Sequence, residues 1–273
     1  MNSKKQRLDC LLVTRGLYES REKAKRAIMS GLILVDKKLV DKPGTEVDIE
    51  SAIEIKGDSC PYVSRGGLKL EKALNVFNIN VKNKVIIDVG ASTGGFTHCL
   101  LNFGAKKVYA IDVGYGQLDW KLRNDPRVVA IERKNIRYIN LDDIGEKCDI
   151  ATIDVSFISL KKVIPAVIKL LIEQGEIIAL IKPQFETERQ KVGKKGVVKS
   201  PNTHYEVVNS IIQFCEENDI SFNDITYSPI IGPKGNIEYL IHLIKSNTNF
   251  TGINKDKIIK ETIKIAHENL IKK

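Results

Sequence analysis

Residues 85–97 read Val-Ile-Ile-Asp-Val-Gly-Ala-Ser-Thr-Gly-Gly-Phe-Thr, and no other segment says more about the architecture of this chain. An apolar, strand-like run leads through a glycine-rich turn into an apolar pattern with helical spacing. Gly90, Gly94 and Gly95 lack a Cβ, so the main chain can approach a ligand closely where the strand turns into the helix. The segment therefore predicts a nucleotide-type cofactor site at the end of a strand.

The spacing of the glycines narrows the choice of cofactor. A dinucleotide-binding turn reads Gly-x-Gly-x-x-Gly, and Ser92 replaces the second glycine, against which a pyrophosphate would lie. The nucleoside triphosphate motif Gly-x-x-x-x-Gly-Lys-Ser/Thr occurs nowhere in the sequence. S-adenosylmethionine has no phosphate, and Asp112 follows about 20 residues later, at the spacing of a ribose-binding acid. We therefore predict an S-adenosylmethionine site, and the open alternative is a structural turn without a ligand.

The charge of the chain predicts an acidic partner. The 273 residues carry a formal net charge of +9. Residues 1–30 hold eight Lys or Arg against three acidic residues, and residues 182–199 hold six against two. Two separated basic segments fit an extended polyanion such as a nucleic acid. A membrane surface is the other acidic partner, and an ordinary solvated surface remains the simplest explanation of either segment.

The cysteines and the N-terminus indicate the cellular compartment in which the protein is expected. The five cysteines are widely spread and form no Cys-x-x-Cys pair, so the sequence predicts neither a disulfide framework nor a metal site. The N-terminus runs into a charged amphipathic pattern without the apolar core of a signal peptide. No apolar run approaches the ~20 residues that span a bilayer. We expect a cytoplasmic protein.

The first 60 residues have the pattern of a small separate domain. Leu8, Leu11 and Leu12 show helical spacing, and a second short helix is expected after Ser20, ending at Gly31. A strand, a turn, a return strand and a further strand follow. We predict an α+β domain over 1–60 and a linker over 61–66.

The rest of the chain alternates between strand-like and helical patterns. Strand-like runs lie at 85–89, 108–112, 128–132, 150–155 and 176–182, and helical patterns near 95–103, 117–124, 160–172 and 203–218. This alternation predicts βαβ units and a parallel sheet that is covered on both faces. Two further strands over 224–244 are joined by a glycine-containing turn, which indicates an antiparallel hairpin. The expected fold of 67–273 is α/β, with a Rossmann-like seven-stranded methyltransferase sheet.

Three segments of the N-terminal domain resemble a known RNA-binding fold. They begin at Arg7 (Arg-Leu-Asp-Cys-Leu-Leu-Val-Thr-Arg-Gly-Leu), Ser20 (Ser-Arg-Glu-Lys-Ala-Lys-Arg-Ala-Ile) and Gly31 (Gly-Leu-Ile-Leu-Val-Asp). They are similar to the RNA-binding domain of the ribosomal protein S-four type, which implies that basic side chains contact the backbone of structured RNA. The candidate RNA-binding residues are Arg7, Arg15, Arg21, Lys23, Lys25, Arg26 and, in the linker, Arg65.

Four charged residues are candidates for catalysis. Asp154 and Lys182 end apolar runs, where ligands of parallel sheets bind, while Glu238 follows a glycine turn and Lys69 begins the helix after the linker. Methylation of a hydroxyl needs an oriented alcohol, a proton acceptor and groups that position both. A lysine can act as the base or as the anchor for the oxygen, and carboxylates can hold the lysines. Taken singly, each of the four could be an ordinary surface charge.

Two sequence features of other methyltransferases are absent, which makes a nitrogen or carbon atom a less favoured methyl acceptor. Many amine methyltransferases have Asp or Asn followed by two prolines and an aromatic residue, whereas this chain reads Asp154-Val-Ser-Phe. Methylation at carbon 5 of a pyrimidine needs a thiolate nucleophile, and Cys148 and Cys215 do not end strands at the cofactor cleft. An oxygen atom is therefore the favoured methyl acceptor.

The four charged residues resemble the Lys-Asp-Lys-Glu tetrad of FtsJ-type RNA 2'-O-methyltransferases, and the whole chain resembles the TlyA, or haemolysin A, family. The resemblance rests on residues 62–74, 88–97, 181–186 and 228–240. It implies a methyltransferase for the 2'-hydroxyl of a cytidine in 16S ribosomal RNA, in 23S ribosomal RNA or in both, with ribosomal subunits as partners. The implied catalytic residues are Lys69, Asp154, Lys182 and Glu238. The implied cofactor-binding residues are Asp88, Gly90, Ala91, Ser92, Thr93, Gly94, Gly95, Phe96, Asp112 and, by carry-over from the family alone, Asn135.

The second name of the family supplies the competing hypothesis, a membrane-active, pore-forming haemolysin. Residues 255–271 form an amphipathic, basic pattern, which is the sole sequence support for contact with a membrane. The favoured interpretation of this segment is a closing helix that packs on the methyltransferase domain.

Overall fold

A computed structural model describes residues 4–29, 31–55, 60–246 and 254–271. The chain divides into two compact units, Met1–Pro61 and Tyr62–Lys273. Residues 62–66, which fall in the expected linker, belong to the second unit.

The first unit is a small α+β domain, as expected. Its described elements are β1 (Lys5–Arg7), α1 (Leu8–Thr14), α2 (Arg21–Met29), β2 (Ile33–Val35), β3 (Lys38–Leu39), β4 (Glu46–Asp48) and β5 (Ile53–Ile55). β1 pairs with β4, and β2 lies between β3 and β5, all antiparallel. The helices pack through Leu8, Leu12 and Ile28, each fully buried, so the apolar stripe forms the core and the basic residues stay outside.

The second unit is built on one sheet. Its strands are β6 (Val85–Val89), β7 (Lys107–Ile111), β8 (Val128–Ile131), β9 (Cys148–Ile153), β10 (Leu171–Ile181), β11 (Ile220–Tyr227) and β12 (Tyr239–Lys245). They lie in the order β11-β12-β10-β9-β6-β7-β8. β12 is antiparallel to β10 and β11, and the other pairs are parallel. The seven-stranded Rossmann-like sheet with its terminal hairpin is therefore confirmed.

Helices cover this sheet. They are α3 (Gly66–Phe77), α4 (Gly95–Asn102), α5 (Trp120–Arg123), α6 (Leu141–Ile144), α7 (Leu160–Val167), α8 (Pro183–Glu186), α9 (Pro201–Glu216) and α10 (Lys255–Ile271). Short 3-10 turns lie at Ile136–Tyr138, Ile168–Leu170, Arg189–Lys191 and Pro233–Gly235. All five residues of β6 are buried, which fits a central strand that is covered on both faces.

The helix expected over 160–172 is shorter in the structure. α7 ends at Val167, and β10 begins at Leu171. Leu171 pairs with Cys148 of β9 before the register shifts ahead of Glu176. A continuous apolar run fits a buried helix and a buried strand equally well, so periodicity could not place this boundary.

The C-terminal helix α10 closes the second unit. Ile259, Ile263 and Ala266 are buried and belong to the apolar core of the sheet domain. This packing is the arrangement that a closing helix requires, because the apolar face is covered by protein. Within the described ranges, no helix is long and apolar enough to cross a membrane.

Candidate active site

A glycine and three charged residues follow four parallel strands at one edge of the sheet. Gly90 follows β6, Asp112 follows β7, Asp154 follows β9 and Lys182 follows β10. Because these strands are parallel, their carboxyl ends meet at the same edge. The topology therefore brings together residues that lie far apart in the sequence.

Asp88 is fully buried next to the glycine-rich turn. Its Oδ2 accepts a hydrogen bond from Thr97 Oγ1 at 2.6 Å, and its Oδ1 accepts one from Thr152 Oγ1 at 2.9 Å. Burial raises the pKa of this carboxyl to about 6, although the two hydroxyl donors act in the opposite direction. Asp88 thus ties β6 to α4 and β9, and it supports the turn from inside the protein.

The glycine-rich turn is held by close packing. Gly90 has φ +84°, and a Cβ at this position would lie 2.5 Å from the carbonyl oxygen of Asp154. Glycine is therefore required where the turn crosses β9. A Cβ on Gly94 would lie 2.3 Å from Leu122, and one on Gly95 would lie 2.3 Å from Ser64 Oγ. These two glycines therefore allow close packing of the turn against α5 and against the segment before α3.

A cavity of about 550 Å³ opens beside the turn. Its walls combine polar residues with apolar ones; they include Gly90, Ser92, Asp112, Val113, Gln117, Lys134, Asn135, Ile136, Asp154, Val155, Ser156, Phe157, Ile158 and Val163. Four expected cofactor residues thus line it: Gly90, Ser92, Asp112 and Asn135. The others, Asp88, Ala91, Thr93, Gly94, Gly95 and Phe96, lie around the turn without lining the cavity. We refer to this space as the donor cavity.

Asp112 is fixed in the wall of the donor cavity by backbone donors. Its Oδ2 accepts from the amide of Ser92 at 2.8 Å, and its Oδ1 accepts from the amide of Gly114 at 2.7 Å. Each carboxylate oxygen retains a second lone pair. The arrangement leaves a pre-oriented acceptor that suits a pair of neighbouring hydroxyl groups.

Lys182 lies at the other side of the same edge. Its Nζ lies 2.6 Å from Asp154 Oδ1 and 2.9 Å from Ser156 Oγ. The Lys182 side chain is 11% exposed, so the ion pair lies largely out of water. An ammonium group has three donors, and its described hydrogen bond is the one to Ser156, so Lys182 keeps donors for a further acceptor.

Lys69 and Glu238 form a second, deeper ion pair. Lys69 Nζ donates to Glu238 Oε2 at 2.6 Å, and the Glu238 side chain is fully buried. The carboxylate packs against Gly232, where a Cβ would lie 2.2 Å from Glu238 Oε1. A glycine at 232, in the turn before β12, therefore leaves the space that the carboxylate occupies next to Lys69 of α3.

A second cavity, of about 380 Å³, adjoins the tetrad and is here named the acceptor cavity. It is lined by Ser156, Phe157, Lys182, Gln184, Phe185, Val192, Gly196, Lys234, Asn236 and Glu238. Ser156 and Phe157 also line the donor cavity. The Lys182–Asp154 pair therefore stands where the two cavities meet, with Asp154 in the wall of one and Lys182 in the wall of the other.

Phe157 marks the junction of the cavities. It is 88% exposed and has φ +62°, an unfavourable backbone conformation for a bulky side chain. Its ring packs against Phe185, with ring centroids 4.8 Å apart. An exposed aromatic ring in a strained loop beside a polar cleft is a candidate contact for a ligand.

The candidate RNA-binding residues of the first unit lie on its surface. Arg7 and Arg21 both bind the buried carboxylate of Asp9 at 3.0 Å, while each guanidinium group remains about half exposed. Arg15 donates to the carbonyl oxygens of Ile49 and Ser51. Lys23 pairs with Glu19, and Lys25 with Glu22. In the second unit, Arg65 is exposed next to the first residue of α3.

Two family models match the sequence of this chain. A family model described as FtsJ-like methyltransferase matches residues 62–245, the greater part of the chain. The chain belongs to the FtsJ-like methyltransferase family. Residues 6–53 match the S4 domain, so this methyltransferase carries an S4 domain in its first unit.

Relatives match the methyltransferase over most of its length. YqxC of Bacillus subtilis, which carries a provisional rRNA methyltransferase name, is 52% identical over 89% of this chain and 87% of its own. The 16S/23S rRNA (cytidine-2'-O)-methyltransferase TlyA of Mycobacterium tuberculosis is 42% identical over 88% of this chain and 90% of its own. A solved structure from Streptococcus thermophilus with a provisional hemolysin name is 44% identical, covers 98% of both chains and has a TM-score of 0.79. The resemblance to the TlyA family is thus confirmed.

The chemistry of the cysteines agrees with an oxygen acceptor. Burial raises the pKa of the Cys148 and Cys215 thiols to about 12. Neither thiol is therefore ionised near neutral pH, and a thiolate mechanism at these positions is disfavoured. The described residues also contain no cluster of His, Cys, Asp and Glu that could hold a metal ion.

Several residues that line the two cavities were not predicted as site residues from the sequence. Ser156 and Phe157 served only as evidence against an amine methyltransferase motif, and Gln184 and Lys234 were not considered. The available signal was position, because 156–157 and 184 come directly after the strand ends at Asp154 and Lys182. Lys234 lies in the turn before β12, whose glycines were used only to predict an antiparallel hairpin.

Proposed function

We propose that this methyltransferase transfers a methyl group from S-adenosylmethionine to the ribose 2'-hydroxyl of a cytidine in ribosomal RNA. One observation carries the proposal: the Lys182–Asp154 pair lies at the junction of a donor cavity and an acceptor cavity. A group that holds a substrate oxygen at this junction faces a cofactor on one side and a nucleotide on the other. The TlyA relative of Mycobacterium tuberculosis bears the name of this activity.

The donor cavity fits S-adenosylmethionine. Asp112 offers fixed carboxylate oxygens to the ribose hydroxyls, and the backbone at Gly90 leaves room for a close approach. Val113, Ile136 and Ile158 supply apolar walls for the adenine ring. When bound, the cofactor supplies a methyl group on a sulfonium centre, which reacts with an oxygen nucleophile.

Lys182 orients the oxygen that receives the methyl group. Lys182 is held by Asp154 and Ser156, and it lines the acceptor cavity with donors left for the substrate oxygen. Formation of the O–C bond requires that the methyl–sulfur bond of the cofactor breaks, which releases the cofactor as a neutral thioether, and that the O–H bond of the ribose breaks. The Asp154 carboxylate accepts that proton, while Lys182 stays an ammonium group that donates to the oxygen. The methyl group replaces that hydrogen on the 2'-oxygen, so the product is a neutral ether.

Lys69 and Glu238 act as positioning residues in this scheme. The fully buried Glu238 is anchored by Lys69 and lines the acceptor cavity. A fixed negative charge at this place favours cations nearby and restrains the lysine side chains of the cavity. Phe157 offers a flat apolar surface on which a base turned out of its helix can stack.

The first unit supplies the grip on RNA. Its S4 domain exposes Arg7, Arg21 and Arg26 on or next to its two helices. Lysine and arginine side chains that neutralise phosphates give affinity without reading the sequence, which suits structured ribosomal RNA. Because ribosomal subunits are the expected substrate, we place the enzyme in the cytoplasm.

Methylation of ribosomal subunits tests the proposal. Subunits from bacteria that lack this modification are incubated with the full-length protein and S-adenosylmethionine labelled in the methyl group, and modified positions are mapped by primer extension. We expect a 2'-O-methyl group on a cytidine, together with loss of transfer in Lys182→Met. Lys162→Met is the matched control, since Lys162 is an exposed lysine on α7 outside both cavities. Label on a base atom, or full activity of Lys182→Met, would contradict the proposal.

A further inference from the structure

Buried polar atoms without a partner cluster at this site. In the described part of the chain, three side-chain atoms are buried and accept no hydrogen bond: Asp154 Oδ1, Gln184 Oε1 and Glu238 Oε1. Asp154 Oδ1 nevertheless has the charge of Lys182 at 2.6 Å, and the other oxygen of Glu238 is paired with Lys69. Gln184 is neutral, so its carbonyl lacks even that compensation. Such atoms are rare in folded proteins and indicate a place where a ligand completes the hydrogen bonding.

The backbone that carries Gln184 is held firmly from both sides. Pro183, at the first position of α8, fixes the backbone before it. Glu186 anchors the end of α8, because its carboxylate accepts from Ser159 Oγ at 2.6 Å and from the amide of Leu160 at 2.8 Å. Phe185 packs on Phe157. The side chain at 184 is therefore presented to the acceptor cavity from a rigid support.

The second amide of the acceptor cavity is already committed. Asn236 Oδ1 accepts from the amide of Val198 at 3.1 Å, and Asn236 Nδ2 donates to the carbonyl of Gly196 at 3.0 Å. Asn236 thus holds the loop that forms one wall of the cavity. Gln184 is the amide of this cavity whose carbonyl has no protein partner among the described residues.

We propose that Gln184 contacts the Watson–Crick edge of the target base and accepts a hydrogen bond from the N4 amino group of cytosine. This inference rests on the proposed function, because it assigns a residue to the base of the nucleotide that the tetrad methylates. Rotation about the last side-chain bond turns the amide from its unpaired position toward the cavity. Binding of cytosine then satisfies, through its N4 amino group, a carbonyl that is unsatisfied in the free enzyme.

The chemistry of the amide sets the expected selectivity. Uracil presents a carbonyl at position 4 and an N–H at position 3, the reverse of cytosine. An amide can turn over to meet uracil, so the native glutamine discriminates modestly between the bases. At position 4 of the base, where the contact is proposed, a carboxylate keeps the acceptor for the amino group of cytosine and repels the carbonyl of uracil. Replacement by glutamate therefore changes the two substrates in different proportions.

The experiment compares two variants on two substrates. Wild type, Gln184→Met and Gln184→Glu are assayed for kcat/KM on ribosomal subunits with the mapped cytidine intact or replaced by uridine. Gln213→Met is the control, since Gln213 is an exposed glutamine on α9 outside both cavities. Calorimetric titration with S-adenosylmethionine and thermal unfolding verify that each variant keeps its donor site and its fold.

We expect Gln184→Met to lower kcat/KM on cytidine by roughly 10- to 100-fold, the range of one lost base contact, with cofactor affinity unchanged. Gln184→Glu is expected to raise the cytidine-to-uridine ratio above that of wild type by at least about 10-fold. Equal loss on both substrates with Gln184→Glu, or a change below about 2-fold with Gln184→Met, would overturn the assignment and leave the proposed function intact. If wild type methylates no cytidine under these conditions, the proposed function fails, and the assignment of Gln184 fails with it.

Discussion

Removal of Lys69 tests the energetics of the buried pair directly. In Lys69→Met, the carboxylate of Glu238 keeps its burial but loses the ammonium group at 2.6 Å. Its Oε1 already has no hydrogen-bond partner, so both oxygens become unpaired. A buried charge deprived of its partner typically costs about 3 to 5 kcal/mol. We expect the free energy of unfolding to fall by that amount.

The double variant Lys69→Met/Glu238→Leu separates charge from packing. It removes both charges and replaces them with apolar side chains, which is often neutral or stabilising in a protein interior. We therefore expect it to be more stable than Lys69→Met alone, with a coupling energy of about 2 kcal/mol or more in a double-mutant cycle. The same variant is expected to be inactive in methyl transfer, because Glu238 no longer lines the acceptor cavity.

Denaturant unfolding followed by circular dichroism gives the required free energies. The slope of the free energy of unfolding against denaturant concentration must be the same in all variants. The chain has two units, and a constant slope shows that the same unfolding transition is being compared. A loss below about 1 kcal/mol in Lys69→Met would show that the pair is solvated. A double variant no more stable than the single one would show that lost packing, and not an uncompensated charge, causes the destabilisation.

Three further perturbations have defined outcomes. Gly90→Ala would place a Cβ 2.5 Å from the Asp154 carbonyl at φ +84°, so we expect loss of S-adenosylmethionine binding in calorimetry together with a lower melting temperature; unchanged binding would contradict this. Asp88 has its pKa raised to about 6, so its contribution to stability is present at low pH and is lost as the pH rises from about 4 to about 6. The free energy of unfolding of wild type is therefore expected to fall between pH 4 and pH 7, and Asp88→Asn should make that fall smaller by up to about 3 kcal/mol. If the fall is the same in Asp88→Asn and wild type, burial does not raise the pKa of Asp88 as described. The pKa of Asp9 is lowered by the guanidinium groups that bind it, so its stabilisation is complete above about pH 4 and is lost below it. Asp9→Asn is expected to weaken RNA binding in a filter-binding assay through misplacement of both arginines, and native affinity would contradict that role.

The sequence predicted those parts of the molecule that depend on local pattern. The turn after β6, the alternation of strands and helices, and the hairpin expected over 224–244 follow from glycine positions and hydrophobic periodicity. The structure has all three, with the hairpin strands at Ile220–Tyr227 and Tyr239–Lys245. Asp154 and Lys182 were predicted because strand ends in a parallel sheet converge on one edge, and Asp112 because it follows the glycine-rich turn at the spacing of a ribose-binding acid. The β10 boundary could not be found in this way, because Leu170 and Leu171 are apolar and buried on either interpretation.

Other parts of the site depend on long-range packing. The donor and acceptor cavities share Ser156 and Phe157, yet nothing in the local sequence shows that 184 and 236 face the same space. The unsatisfied carbonyl of Gln184 is a property of its surroundings, so no residue pattern could reveal it. In the same way, the division of the glycine-rich turn into cavity-lining and packing positions required the contacts of Leu122 and Ser64.

The shared wall of the two cavities also matters for inhibitor chemistry. Ser156 and Phe157 border both spaces, so the donor cavity and the acceptor cavity are direct neighbours. Joining an adenosine group to a pyrimidine nucleoside by a short linker makes the second binding event intramolecular. Affinity then gains from an effective concentration in the millimolar range, without any new contact to the protein. On the proposed function, this shared wall makes bisubstrate ligands the natural inhibitor class for the enzyme.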